Sequence, residues 1–82
     1  MILTGEQIRA ARALVRLEQT EIAHRSGVSV DTIKRLERFH GEVSANIQTV
    51  AAVQRALEEA GVEFLPENGA GAGVRLRKPS QA

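Results

Sequence analysis

The chain has 82 residues, 43% of them apolar and 26% charged, with two aromatics, no cysteine and a formal net charge of +1. That describes one small folded domain near the size at which a single core leaves only a few kcal/mol of net stability, and it excludes disulfide staples and thiolate metal sites. With Phe39 and Phe64 as its only aromatics, the core must be aliphatic, and a single-strand binder that stacks bases on aromatic platforms is disfavoured.

Residues 4–16, "TGEQIRAARALVR", predict a first helix. Thr4 and Gln7 make a capping-box pattern, and Ile8, Ala11 and Val15 fall on one face. After a tight connection at 16–18 comes a short helix over 19–26, with Ile22 and Ala23 inward. Gly27 ends it, because the chain there needs a residue that tolerates a left-handed conformation. Ser29 is a good N-cap for a third helix over about 29–39, with Ile33 and Leu36 inward and Phe39 near its end. A loop, "HGEVS", leads to a fourth helix over 46–61, capped by Ser44 or Asn46. Its expected inward stripe is Ile47, Val50, Ala51, Gln54 and Leu57, with Val53 and Ala60 widening the apolar face. From residue 62 the pattern turns to alternation: strands at 62–66 and 73–78 around the glycine-rich "ENGAGAG" predict a hairpin. A hairpin alone is marginal in water, so it must pack on the helices or on another chain. The expected organisation is a helical domain over 1–61 followed by a strand-forming tail over 62–82.

The second and third helices, with Ala23 as the small residue, Gly27 in the turn and Val28, Ile33 and Leu36 as aliphatic locks, have the spacing of a helix-turn-helix. An ordinary helical hairpin satisfies the same pattern. More of the chain, however, resembles the Cro/repressor (Xre-type) helix-turn-helix family. The resemblance is carried by "IRAARALVRLEQTEIAHRSGVSVDTIKRLER", with Gln19, Glu21-Ile22-Ala23, Gly27-Val28-Ser29, Thr32-Ile33 and Leu36-Glu37-Arg38, and continues through "TVAAVQRALEEAGVEF". It covers residues 6 to about 66 and implies a mainly α fold of four helices with a short C-terminal β-hairpin. Two positions depart from the family pattern: Glu18 stands where a capping Ser or Thr is usual, and Phe39 where many members have glycine.

In such a motif the third helix enters the DNA major groove with its N-terminal part toward the base edges. The outward residues are then Ser29, Val30, Asp31, Lys34 and Arg35. Arg35 can offer a guanidinium fork to guanine, Lys34 a point donor, and Val30 its methyls to thymine. Asp31 either accepts from cytosine or simply favours the helix N-terminus. The resemblance implies a phosphate contact for Gln19, which would also brace the third helix; Thr32, Arg38, His40 and the segment from Ser44 to Asn46 are further phosphate candidates. It also implies an ion pair between Arg12 and Glu37. The basic excess is mild, seven Lys/Arg against five Asp/Glu in residues 1–40 and four against five thereafter.

The implied function is a sequence-specific transcriptional regulator, most simply a repressor, that binds double-stranded DNA as a homodimer through the fourth helix, the strands or both. The alternative is a protein-interaction adaptor or antitoxin-like module with secondary DNA binding and a protein partner. An enzyme is not expected, because no paired carboxylates, cysteine nucleophile or phosphate loop stands in a fitting context. The lone histidines His24 and His40 make no metal site, and no cofactor is implied. No apolar run approaches the roughly 18 residues of a membrane span and no signal-peptide pattern opens the chain, so a cytoplasmic protein is expected.

Overall fold

The computed structural model describes residues 3–78. Four helices, α1 (Gly5–Val15), α2 (Gln19–Ser26), α3 (Val30–Glu37) and α4 (Ile47–Glu59), precede an antiparallel hairpin of β1 (Val62–Leu65) and β2 (Gly73–Leu76). The mainly α fold with a C-terminal hairpin is as expected.

Local chemistry starts and stops the helices where the sequence places the signals. Thr4 caps α1: its hydroxyl accepts the Gln7 N–H at 3.0 Å while the Gln7 side-chain oxygen takes the Thr4 N–H at 2.9 Å. Arg16 closes α1 at φ 58°, an uncommon conformation for a residue with a Cβ. Glu18 precedes α2 and makes no side-chain cap bond, as its carboxylate in place of a hydroxyl suggested. Gly27 ends α2 at φ 73°. Ser29 caps α3 by accepting the Thr32 N–H, and Asn46 caps α4 by accepting the Gln48 N–H.

Between α3 and α4 the chain folds back on the start of α1. Thr4 and Glu42 form an antiparallel bridge, the Gly5 N–H donates to the Gly41 carbonyl, and the Val43 N–H to that of Leu3, both at 3.0 Å. Here Gly5 is required for space: a Cβ on it would lie 2.1 Å from the Phe39 carbonyl oxygen. Phe39, where the resemblance suggested glycine, packs against the core.

The packed face of α4 differs from the expected stripe. Val53, Ala56 and Leu57 are buried and Val50 partly so, whereas Ile47 is 81% exposed and Ala51 is also exposed. Apolar residues occupy most of the helix circumference, so helical periodicity fits more than one stripe. Contact with α2 and β1 selects the one used.

The strands are shorter than the alternation suggested. Val62 and Phe64 are buried and share a core with Leu3, Ile8, Ala11, Ile22, Ile33, Leu36, Val43, Val53 and Leu57. Each large aliphatic side chain so buried contributes about 1.5–3 kcal/mol. The hairpin therefore packs on α1 and α4 of its own chain; of the expected tail, residues 79–82 lie outside the described part. Gln7 latches it as well, its amide nitrogen donating to the Leu65 carbonyl at 3.2 Å and the Gly73 carbonyl at 3.0 Å. Only 3% exposed, Gln7 thus caps α1 with its oxygen and clamps the hairpin with its nitrogen.

Candidate nucleic-acid interface

The eight residues of α3 divide sharply. Ile33 and Leu36 are fully buried and Glu37 is 5% exposed, while Asp31, Lys34 and Arg35 point to solvent, followed by exposed Arg38. Val30 is half-buried at the start of the helix. Among the described residues no hydrogen bond or ion pair engages the side chains of Asp31, Lys34, Arg35 or Arg38. Every other arginine on α1 and α2 has a partner: Arg12 on Glu37, Arg25 on Glu21 at 3.0 Å, and Arg9 on the Glu37 carbonyl.

The free face is held in place from behind. Arg12 grips Glu37 with a fork, Nε to Oε2 at 2.7 Å and Nη2 to Oε1 at 3.0 Å, and its Nη1 reaches the Leu17 carbonyl at 3.1 Å. Gln19 Nε2 donates to Glu37 Oε1 at 3.0 Å. The last turn of α3 is thus tied to α1, to the α1–α2 connection and to the first residue of α2. Glu37 raises the pKa of the Arg12 guanidinium, chiefly through their hydrogen bond. Arg9 is the member of this junction that sequence reasoning missed. Its spacing three residues before Arg12, on the same face of α1, was the available signal.

The remaining site residues are placed less uniformly. Ser29 spends its hydroxyl on the helix: it accepts the Thr32 N–H at 3.2 Å and donates to Thr32 Oγ1 at 2.9 Å. In this geometry it keeps only acceptor capacity for a base, and a phosphate, which needs a donor, gains nothing from it. The Thr32 hydroxyl proton remains free to donate. Gln19 keeps one amide N–H after bracing Glu37, so bracing and a phosphate contact are compatible. Asn46 uses its side-chain oxygen on the Gln48 N–H, and Ser44 is exposed. His40 is 89% exposed and stands 3.6 Å from Glu6. Glu6 also accepts the Gly41 N–H at 2.9 Å, which is the main reason its carboxyl lies below the ordinary value.

Among the described residues no cluster of three His, Asp or Glu side chains could hold a metal ion, and no helix is long and apolar enough to cross a membrane. No protein-family model and no curated protein matches the chain.

Proposed function

We propose that the chain is a sequence-specific DNA-binding regulator of the Cro/repressor type, with α3 as its recognition helix. The exposed row of Asp31, Lys34, Arg35 and Arg38, free of protein partners and fixed from behind by the Arg12–Glu37–Gln19 junction, is the observation that supports it. A reading helix must present donors that are not already satisfied, on a backbone that does not move when they engage. Arg35 is the residue for a guanine edge, where a good bidentate contact discriminates by about 1–3 kcal/mol. Lys34 adds a second donor, Asp31 an acceptor for cytosine and Val30 a methyl surface. Gln19, Thr32 and Arg38 hold phosphates beside the groove, and the amides around Ser44 to Asn46 hold another.

One short helix contacts few base pairs, so the working unit is a symmetric dimer on two half-sites about one helical turn apart. Occupancy across a promoter excludes polymerase, which makes repression the simplest outcome, in the cytoplasm where the DNA lies. No catalytic step is assigned.

Selection of bound duplexes from a random pool, at one fixed salt concentration and beside Arg35→Ala, tests this. A two-fold symmetric motif that loses information at one base pair per half-site in the variant is the expected result. Binding with no motif, falling away with salt alone, would mean phosphate contact only and overturn it.

A further inference from the structure

The phase of the hairpin ladder leaves β2 with an unpaired edge. The Arg77 N–H donates to the Gly61 carbonyl at 2.7 Å, which makes 61/77 a hydrogen-bonded pair. In the observed register 63/75 and 65/73 share that phase, while 62/76 and 64/74 are the non-hydrogen-bonded pairs. Val74 and Leu76 therefore turn their N–H and C=O groups away from β1. Among the described residues no backbone group takes them up. Residues directly opposite share a face, so Leu76 lies on the same side as buried Val62, yet it is 57% exposed. An edge with two pairs of free backbone groups and an uncovered leucine is a template for another strand.

We propose that this strand is β2 of a second copy, paired antiparallel about a two-fold axis through Arg75 to give a four-stranded sheet ordered β1–β2–β2–β1. The inference rests on the preceding reading only for the need of a second copy. In this register Val74 faces Leu76 of the second copy and Leu76 faces its Val74, both as hydrogen-bonded pairs. Four bonds then satisfy every outward group of both strands, and both leucines are covered on the core side.

Charge fits as well. Arg75 meets its own counterpart at the axis, but each is drawn back by Glu63 of its own chain, Nε to Oε1 at 2.9 Å and Nη2 to Oε2 at 3.1 Å. The row across the four strands reads minus, plus, plus, minus and is neutral. Arg77, whose guanidinium donates to the Glu58 carbonyl, falls opposite Gly73, which leaves it room. Lys78 falls opposite Ala72, beside the loop that carries Glu67. That carboxylate accepts the Gly69 and Gly71 N–H groups at 2.7 and 2.9 Å, and no cation pairs with it among the described residues. The antiparallel sense thus brings the cationic end of each β2 to the acidic loop of the other copy. The exposed apolar residues of α4, Ile47 and Ala51, lie on a helix and offer neither a strand edge nor opposite charge.

The test is sedimentation equilibrium of the full chain without DNA, beside Leu76→Pro. The Leu76 N–H points outward, so proline there spares the β1–β2 ladder and removes an inter-copy donor twice per dimer. A rise of at least about tenfold in the dimer dissociation constant is expected, with thermal melting confirming that the variant is folded. The chain has no cysteine, so Arg75→Cys places a single thiol beside the axis, at a pair whose Cα atoms lie roughly 4.5 Å apart. Oxidised glutathione should link two such chains, and should leave Ile47→Cys unlinked. A monomer at all concentrations, which would leave the edge to a strand of some other protein, overturns the proposal. So does a dimer indifferent to Leu76→Pro, or linkage through Ile47→Cys in place of Arg75→Cys, which would move the interface to α4. None of these readouts involves DNA, so failure here is distinct from failure of DNA binding.

Discussion

Two arginine–glutamate forks of nearly the same geometry serve two regions of this molecule. At the α1–α3 junction, Arg12 holds Glu37 at 2.7 and 3.0 Å; on the hairpin, Arg75 holds Glu63 at 2.9 and 3.1 Å. The surroundings differ. Glu37 is 5% exposed and Arg12 23%, whereas Glu63 and Arg75 are 44% and 61% exposed. In the first region the carboxylate has lost its water and depends on Arg12 and Gln19, so the pair is obligatory once the fold buries it. In the second, water replaces either partner when it leaves, and the pair contributes little to stability. The same ion pair therefore anchors α3 in one place and only orders a solvent-facing row in the other.

The junction is most vulnerable through its backbone. Gly5→Ala forces a Cβ against the Phe39 carbonyl and separates the start of α1 from the end of α3. A loss of about 3 kcal/mol or more is expected, seen as a large drop in the urea midpoint or failure to fold.

Arg12→Ala comes next, at about 3 kcal/mol, because it strands a buried carboxylate. Glu37→Gln, which keeps hydrogen-bonding atoms and removes the charge, should recover part of that loss. If Arg12→Ala proved as mild as Arg75→Ala, burial would not be what makes the Arg12–Glu37 pair obligatory.

Gln7→Ala sharpens the contrast from the other side, since it cuts the hairpin from the helices without touching either ion pair. It removes one cap bond and two clamp bonds, for about 2 kcal/mol. Hydrogen exchange should quicken in β1 and β2 before it does in α3.

The smallest effect belongs to the exposed fork. Arg75→Ala should leave the thermal midpoint within about 4 °C of the wild type. The Arg75 guanidinium, mainly by hydrogen bonding, holds the Glu63 carboxyl below its ordinary 4.5. A group depressed on folding contributes stability above its unfolded pKa and loses it as pH falls through its folded value. The small advantage of wild type over Glu63→Gln should therefore be complete near pH 7 and shrink once pH drops below 4.5. A difference that grew on acidification would contradict the sign.

Much of the fold is legible in the sequence. The Thr4–Gln7 box, the Gly27 turn, the Ser29 cap and the inward Ile22, Ile33 and Leu36 all formed as their spacing indicated. The candidate site was legible in part. The outward positions Asp31, Lys34 and Arg35 follow from those inward ones, while the Arg12–Glu37 pair was suggested only by resemblance, and Arg9 was missed. For Ser29, the signal that made it a cap also made it a candidate reader, and the geometry shows how far the first use limits the second. On α4 an excess of apolar residues hid the packed face.

What closes within a turn of helix is therefore written in the chain: caps, stops and the faces of the two shortest helices. Those hydrogen bonds and side-chain repeats span three or four residues, so their partners are visible in the spacing. The tertiary structure alone decided what joins distant segments: the rotation of α4, the closeness of Gly5 to Phe39 and the hold of Gln7 on carbonyls 58 and 66 residues away. It also turned the Glu37 pair from a surface charge into an anchor. Such contacts leave no periodic trace, because their energy depends on which surfaces meet and how much water they exclude.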